Sequence, residues 1–335
     1  MKYRIKRKIG YVLVVAMLVV MIYPGELSAA SGQEDGFVIK GTTLQGYVGA
    51  ENAVVIPDNI TKIDDDVFLN TTITSVEIPD SVTTIGDNAF AGCEYLTEVT
   101  VPDSVTKIGD NVFYGCTSLE SATWESKEGI GDGTFAECAG LTDLSISREL
   151  PSIGKEAFFY CQNLKQITIP AKTTKIGNNV FGSCDHLETI NVAAGNTIYR
   201  SEDGILYGTE EGRLVLINCP AGKKGNVKIL EGTVGILDGS FSNCEKITSV
   251  DMPDSVKSIG EDAFKSCSSL IKVRFSNQLT DIGNYAFYRC DSMQQVHLPD
   301  SVKDLGAWAF RYCDALTEVT IFRIFRIMRL VAVQI

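Results

Sequence analysis

The chain has 335 residues, 44% of them hydrophobic, and a formal net charge of −12. That is enough apolar material for a sizeable core, and the acidic balance argues against nucleic acid or anionic lipid as partner, since both select a basic face. Length alone suggests two or three domains, an estimate that fails if the chain repeats.

Residues 1–30 read as an export signal peptide. Lys2, Arg4, Lys6, Arg7 and Lys8 precede an uncharged apolar stretch from Tyr11 to Ile22, and Ser28, Ala29 and Ala30 supply the small residues of a cleavage site after Ala30. The apolar stretch is short for a membrane span, which needs roughly 20 residues, so a membrane tether is expected only if the signal is uncleaved. Removal leaves 25 basic against 41 acidic side chains, a formal charge of −16. Residues 31–57 follow, with apolar positions at Phe37, Val38, Ile39, Leu44, Tyr47 and Val54 to Ile56.

From residue 58 the chain repeats. Phe68, Phe90, Phe113, Phe135, Phe158 and Phe181 lie 22 or 23 residues apart, and after a gap of 60 the series resumes at Phe241, Phe264, Phe287 and Phe310. Five residues before each stands Ile or Leu, usually followed by glycine. Three residues after each, from Phe90 on, stands a cysteine. About ten copies of 22–23 residues fill 58–321. One copy cannot bury its own apolar side chains, whereas stacked copies share a continuous core.

Within a copy, Leu96, Val99 and Val101 alternate with polar residues, the pattern of a short half-buried strand. Pro79 and Asp80 introduce a second extended stretch, Ser81 to Ile85, as a turn would. Gly86 to Phe90 then reads as one helical turn or a tight loop, the glycine serving a positive φ or a close backbone approach. In such a stack equivalent positions lie about 4.8 Å apart, so the phenylalanines form a ladder. Truncating one should cost about 3–5 kcal/mol.

Two segments leave the pattern. Residues 194–228 contain apolar, β-prone runs at Asn196 to Tyr199, Gly204 to Tyr207 and Leu214 to Ile217, broken by Asp203-Gly204 and Glu211-Gly212, and read as a β-hairpin-like insertion. Residues 322–335 carry Arg323, Arg326 and Arg329 in an apolar background. That is the reverse of the polar end cap a solenoid needs, and the tail reads as truncated or frameshifted, an unusual final strand or a membrane- or partner-binding tail being the other readings.

The pattern Ile-Pro-x-Ser-Val-x-x-Ile-Gly-x-x-Ala-Phe-x-x-Cys-x-x-Leu-x-x-Val, clearest at 81–102 and 255–275, resembles the BspA-like leucine-rich repeats of the Treponema pallidum class. The resemblance covers about residues 37–321. It implies an α/β, mainly β solenoid: a right-handed, curved leucine-rich-repeat stack with a parallel sheet on its concave side, and residues 31–57 as an N-terminal cap half-repeat. It also implies a secreted or cell-surface protein of bacteria or protists, engaged in adhesion or protein binding.

The cysteines carry little chemistry. Equal positions on adjacent coils have parallel Cβ vectors, which suits a disulfide badly, so a ladder of small buried thiols is expected. Cys219 falls off the register and reads as a solitary thiol. His186 and His297 are the only histidines and no Cys-x-x-Cys occurs, so neither a metal nor another cofactor is expected. Asp64-Asp65-Asp66 lacks the alternation of a calcium loop and reads as a solvated turn. No nucleophile elbow or phosphate loop is present, and the chain is not expected to be an enzyme.

If Val99 and Val101 face the core, Thr100 faces outward from the concave sheet. The same position in later coils gives Thr123, Ser145, Thr168, Asn191, Asp251, Arg274, His297 and Thr320, with Lys272 in the flanking row beside Glu98, Ser121, Asp143, Gln166, Thr189, Ser249, Gln295 and Glu318. Lys272, Arg274 and His297 make a local basic patch in an acidic protein. This face is the candidate site for an extracellular protein or glycan, without the aromatic anchors usual at tight interfaces. The competing reading is a structural spacer, or the repeat portion of a larger cell-wall-associated protein.

Overall fold

The computed structural model describes residues 36–321; the export segment 1–30 and the tail 322–335 lie outside the described residues. Every regular element among them is a strand. The chain is a mainly β solenoid, and the segment read as a helical turn or tight loop is a turn in every coil.

Each coil visits three ranks. In one coil Glu98–Val101 forms the front strand, with Val99 and Val101 buried and Glu98 and Thr100 exposed. At Pro102 the chain turns, the Val105 N–H donating to the Pro102 carbonyl (3.2 Å). Lys107–Ile108 forms a two-residue second strand, and a turn rank carries Phe113 and Cys116 back toward the next front strand. Adjacent coils pair in parallel: Glu98, Val99, Thr100 and Val101 stand opposite Ser121, Ala122, Thr123 and Trp124. Serines after the prolines tie coils together, as where the Ser104 hydroxyl donates to the Val82 carbonyl (2.9 Å).

The phenylalanine ladder is stacked from Phe68 to Phe181, with ring centroids 5.0 to 5.9 Å apart. It resumes from Phe241 to Phe310 at 4.5 to 5.1 Å. All ten cysteines are free and buried. They are more than filler: each in-register thiol but Cys244 donates to the carbonyl of the phenylalanine one coil back, Cys161 to Phe135 at 3.1 Å for example. Cys219 is free and off the register, and its backbone carbonyl accepts the Cys244 thiol (3.4 Å).

Of the two roles open to the repeat glycine, close approach is the one the fold uses. A Cβ on Gly154 would lie 2.5 Å from the Asp132 nitrogen and the Gly131 carbonyl carbon of the coil behind. Positive φ falls elsewhere, two residues before and two after each phenylalanine, as at Asn88 (53°) and Gly92 (69°) around Phe90. Asn, Asp and Gly tolerate this region best. Yet Tyr285 (53°) and Trp308 (56°) also adopt it, held by the turns on either side.

The segment after Asn191 is a three-stranded antiparallel meander, Tyr199–Glu202, Ile205–Glu210 and Arg213–Asn218. Its last strand pairs in parallel with Gly235–Ile236, so the meander occupies the second-strand rank. The front rank resumes at Gly225–Lys228, which pairs with Ile247–Asp251. The Asp203-Gly204 turn packs beside the front rank, where the Ile190 N–H donates to the Gly204 carbonyl (2.9 Å).

Candidate functional site

The front rank, which the resemblance assigns to the concave side, is parallel throughout but not one unbroken sheet. Hydrogen-bonded pairing stops between Asp143–Ile146 and Gln166–Ile169, at the insertion, and between Lys272–Arg274 and Gln295–Leu298. Thr100, Ser145, Thr168, Lys272, Arg274 and His297 are exposed on it, and Thr123, Asn191, Asp251 and Thr320 are half-buried. Within each sheet segment these residues stand opposite one another: Thr100 to Thr123 to Ser145, Thr168 to Asn191, Asp251 to Arg274, and His297 to Thr320. Lys272 belongs to the neighbouring row, opposite Ser249.

One member of the row escaped the sequence reading. Lys228 pairs with Asp251 in register and is exposed, filling the coil left blank between Asn191 and Asp251. Its segment had been assigned to the insertion, although Gly225 to Lys228 precedes the Ile229 of a normal coil. The row also extends upstream to Glu77 and to Val55, an apolar side chain 64% exposed.

The electrostatics correct the basic patch. The Arg274 Nε donates to Asp251 Oδ1, and its Nη1 lies 3.7 Å from Asp254 Oδ1. The hydrogen bond to Asp251 holds the guanidinium's pKa above its ordinary value. With Arg274 neutralised from the coil behind, Lys228 and Lys272 are the front cations with no ion pair among the described residues. From Thr100 to Asn191 the row offers four hydroxyls and one amide without net charge. What this surface can do is exchange many weak hydrogen bonds along its length, a chemistry suited to a flat protein or glycan ligand rather than to one anchored side chain.

The thiols are withdrawn from the surface. Burial raises the Cys93 thiol to about 11 and those of Cys184 and Cys313 to about 12, so no reactive thiolate is available near neutrality. Among the described residues no cluster of histidine, cysteine and acidic side chains could hold a metal ion, and no helix is long and apolar enough to cross a membrane. In the first repeat's acidic run, Lys62 pairs with Asp64 at 2.6 Å, and Asp65 accepts the Asp87 N–H at 2.9 Å.

Aromatic anchors, absent from the front, occur on the turn rank. Tyr285 packs on Trp308 (centroids 5.1 Å apart) and Tyr288 on Tyr312 (5.2 Å), with Arg311 4.7 Å from the Tyr312 centroid. Trp308 is 39% and Tyr312 43% exposed on the last described coil. In sequence they occupy variable positions of the repeat, where most coils carry Asn, Gly, Ser, Asp or Glu.

A family model described as a BspA type leucine rich repeat region matches residues 50–129, 128–207 and 225–329, with six copies. A leucine rich cell surface protein from Faecalibacterium prausnitzii A2-165 has a similar structure, with 31% identity over 84% of this chain and 92% of that one and a TM-score of 0.62. A leucine-rich repeat protein from Bacteroides ovatus shares 28% identity over 83% of this chain and 82% of that one, with a TM-score of 0.51. The pneumococcal vaccine antigen PcpA shares the fold at 24% identity, over 85% of this chain and 67% of its own, with a TM-score of 0.64. No protein of curated function matches the sequence significantly.

Proposed function

We propose that this chain, which belongs to the BspA-type leucine-rich-repeat family, is a secreted or cell-surface interaction module that binds a protein or glycan along its front sheet and catalyses nothing. The observation that carries the reading is the outward row itself. Thr100, Thr123, Ser145, Thr168 and Asn191 repeat short polar side chains at matching register over successive coils. Core packing does not demand that uniformity, since these side chains face away from the core. A stack of weak polar contacts gains affinity by number. The surface-protein relative is consistent with an extracellular setting, and the acidic mature chain disfavours nucleic acid and anionic membranes as partners.

A second reading places the contact on the turn rank, at Trp308, Tyr312 and Arg311, because exposed Tyr, Trp and Arg are the residues that dominate interface energetics. Immobilised residues 31–335 would be presented with a panel of extracellular-matrix proteins and glycans. Thr123→Arg with Thr168→Arg blocks the front, and Trp308→Ala with Tyr312→Ala strips the flank. Loss of a bound ligand in the first variant and retention in the second supports the front-sheet reading. The converse supports the flank, and a panel that retains nothing sinks the adhesion reading.

A further inference from the structure

The meander fills the front and second-strand ranks of the stack but leaves the turn rank open. There a cleft of about 900 Å³ separates the coil of Phe181 from the coil of Phe241. Elsewhere on this rank, N–H groups two before, at, and two after each phenylalanine donate to carbonyls of the next coil. Glu156, Phe158 and Tyr160 thus donate to Asn178, Val180 and Gly182 at 3.0, 3.0 and 2.8 Å. At the cleft this ladder has lost its partner. The N–H groups of Asn179, Phe181 and Ser183 donate to no atom among the described residues. Across the gap, the carbonyls of Asp238 and Ser242 accept nothing from the described residues, and the Ser240 carbonyl accepts the Cys219 N–H (2.7 Å).

One wall therefore presents donors and the other acceptors, each at alternate residues. Two buried side-chain acceptors on the lining, Asn218 Oδ1 and Asp262 Oδ1, also lack a partner. Unpaired polar groups of this kind call for a ligand or water. The rim is acidic: Glu210, Asp238, Glu261 and Asp262 face a single cation, Lys265, already paired with Asp262 at 2.9 Å. Val180, Phe181, Ile217 and Leu237 give the interior an apolar component.

We propose that this cleft is a binding site for a polypeptide segment of net positive charge that adopts the repeat's own turn conformation. Such a segment turns carbonyls to one edge and N–H groups to the other, as every coil here does to its neighbours. Lying in the gap, it accepts from Asn179, Phe181 and Ser183, donates to Asp238 and Ser242, and meets the acidic rim with its cation. This is strand-addition logic transferred from a sheet edge to a turn ladder. A regular β-strand fits less well, because it presents donors and acceptors on both edges. The site is separate from the front sheet and does not depend on it.

The probe is a blocked synthetic peptide copying Thr174 to Ser183, Thr-Lys-Ile-Gly-Asn-Asn-Val-Phe-Gly-Ser, which carries one net positive charge. A second peptide replaces its two asparagines by aspartate. On adding the first peptide at about 1 mM, amide exchange of Asn179, Phe181 and Ser183 in residues 31–335 should slow by about tenfold. In the free protein these amides should exchange far faster than those of Glu156, Phe158 and Tyr160. The aspartate peptide, and the double variant Glu210→Lys with Glu261→Lys, should each weaken binding by about fivefold. Both glutamates are exposed with unpaired carboxylates, so the variant folds, which circular dichroism checks. Unchanged exchange at the three amides, or binding indifferent to both charge reversals, overturns the proposal.

Discussion

Where one repeat coil follows another, as between Phe135 and Phe158, four devices act together. The rings stack at 5.6 Å, Gly154 lets the backbones meet, the Cys161 thiol donates to the Phe135 carbonyl (3.1 Å), and Asp132 Oδ1 accepts the Lys155 N–H (2.7 Å). Between the coils of Phe181 and Phe241 none of the four survives. No ring contact joins them, Leu237 replaces the glycine, Cys244 turns to the Cys219 carbonyl, and the Asp238 N–H, the counterpart of the Lys155 N–H, has no acceptor among the described residues. These residues are therefore properties of a joint rather than of a coil. Asp64 makes the same point at the other end. It too replaces the glycine, and the segment behind it is the Leu44 strand rather than a repeat turn.

Alkali should attack the regular joints hardest. An unfolded thiol loses its proton near pH 9, whereas burial keeps Cys93 protonated to about 11 and Cys184 and Cys313 to about 12. Their contribution is complete below pH 9 and is lost as pH rises toward 11–12, because there the unfolded chain binds fewer protons. The slope is about 1.4 kcal/mol per pH unit for each such thiol, so the summed loss over the ladder exceeds any single substitution. Urea midpoints at pH 8, 9 and 10 would measure it. Cys138→Ala with Cys161→Ala should flatten the dependence, and an unchanged slope would remove the thiols from the account.

Ring truncation should have the next largest effect, and it separates the two kinds of joint directly. Phe264 has stacked neighbours at 4.5 and 4.9 Å, whereas Phe181 has one, at 5.9 Å, and faces the cleft on its other side. Phe264→Ala should cost about 3–5 kcal/mol and Phe181→Ala less, since Phe181 is buried but has a stacked ring on one side only. Equal losses in denaturant titration would mean that the cleft is closed in solution.

Much of this was legible in the sequence, because each coil offers its side chains the same surroundings and so selects the same residue. Phenylalanine, cysteine and the outward row could be read at fixed spacing for that reason. The misreadings come from contacts that spacing does not encode. Arg274 looked free because its partner Asp251 lies 23 residues back, though register places the two opposite each other. Lys228 was hidden by the apolar runs of the meander, which blurred where the front rank resumes. The cleft left no motif: its donors are backbone groups, and it exists only because the inserted strands fill two ranks out of three.

The glycine gives the smallest effect and the sharpest test of the joint rule. If glycine serves the coil behind it, the side toward the insertion should not matter. Gly177 borders the cleft, yet a Cβ there would lie 2.4 Å from the Lys155 nitrogen of the coil behind. Gly177→Ala should therefore destabilise about as much as Gly154→Ala, roughly 1–3 kcal/mol for one added methyl group that the backbone must move to admit. Leu237 has the meander behind it, where the Leu237 N–H still reaches the Leu216 carbonyl (3.0 Å) with a full side chain in place. Leu237→Met should stay within about 0.5 kcal/mol of the parent. A harmless Gly177→Ala beside a costly Gly154→Ala would show instead that glycine is required by the coil ahead.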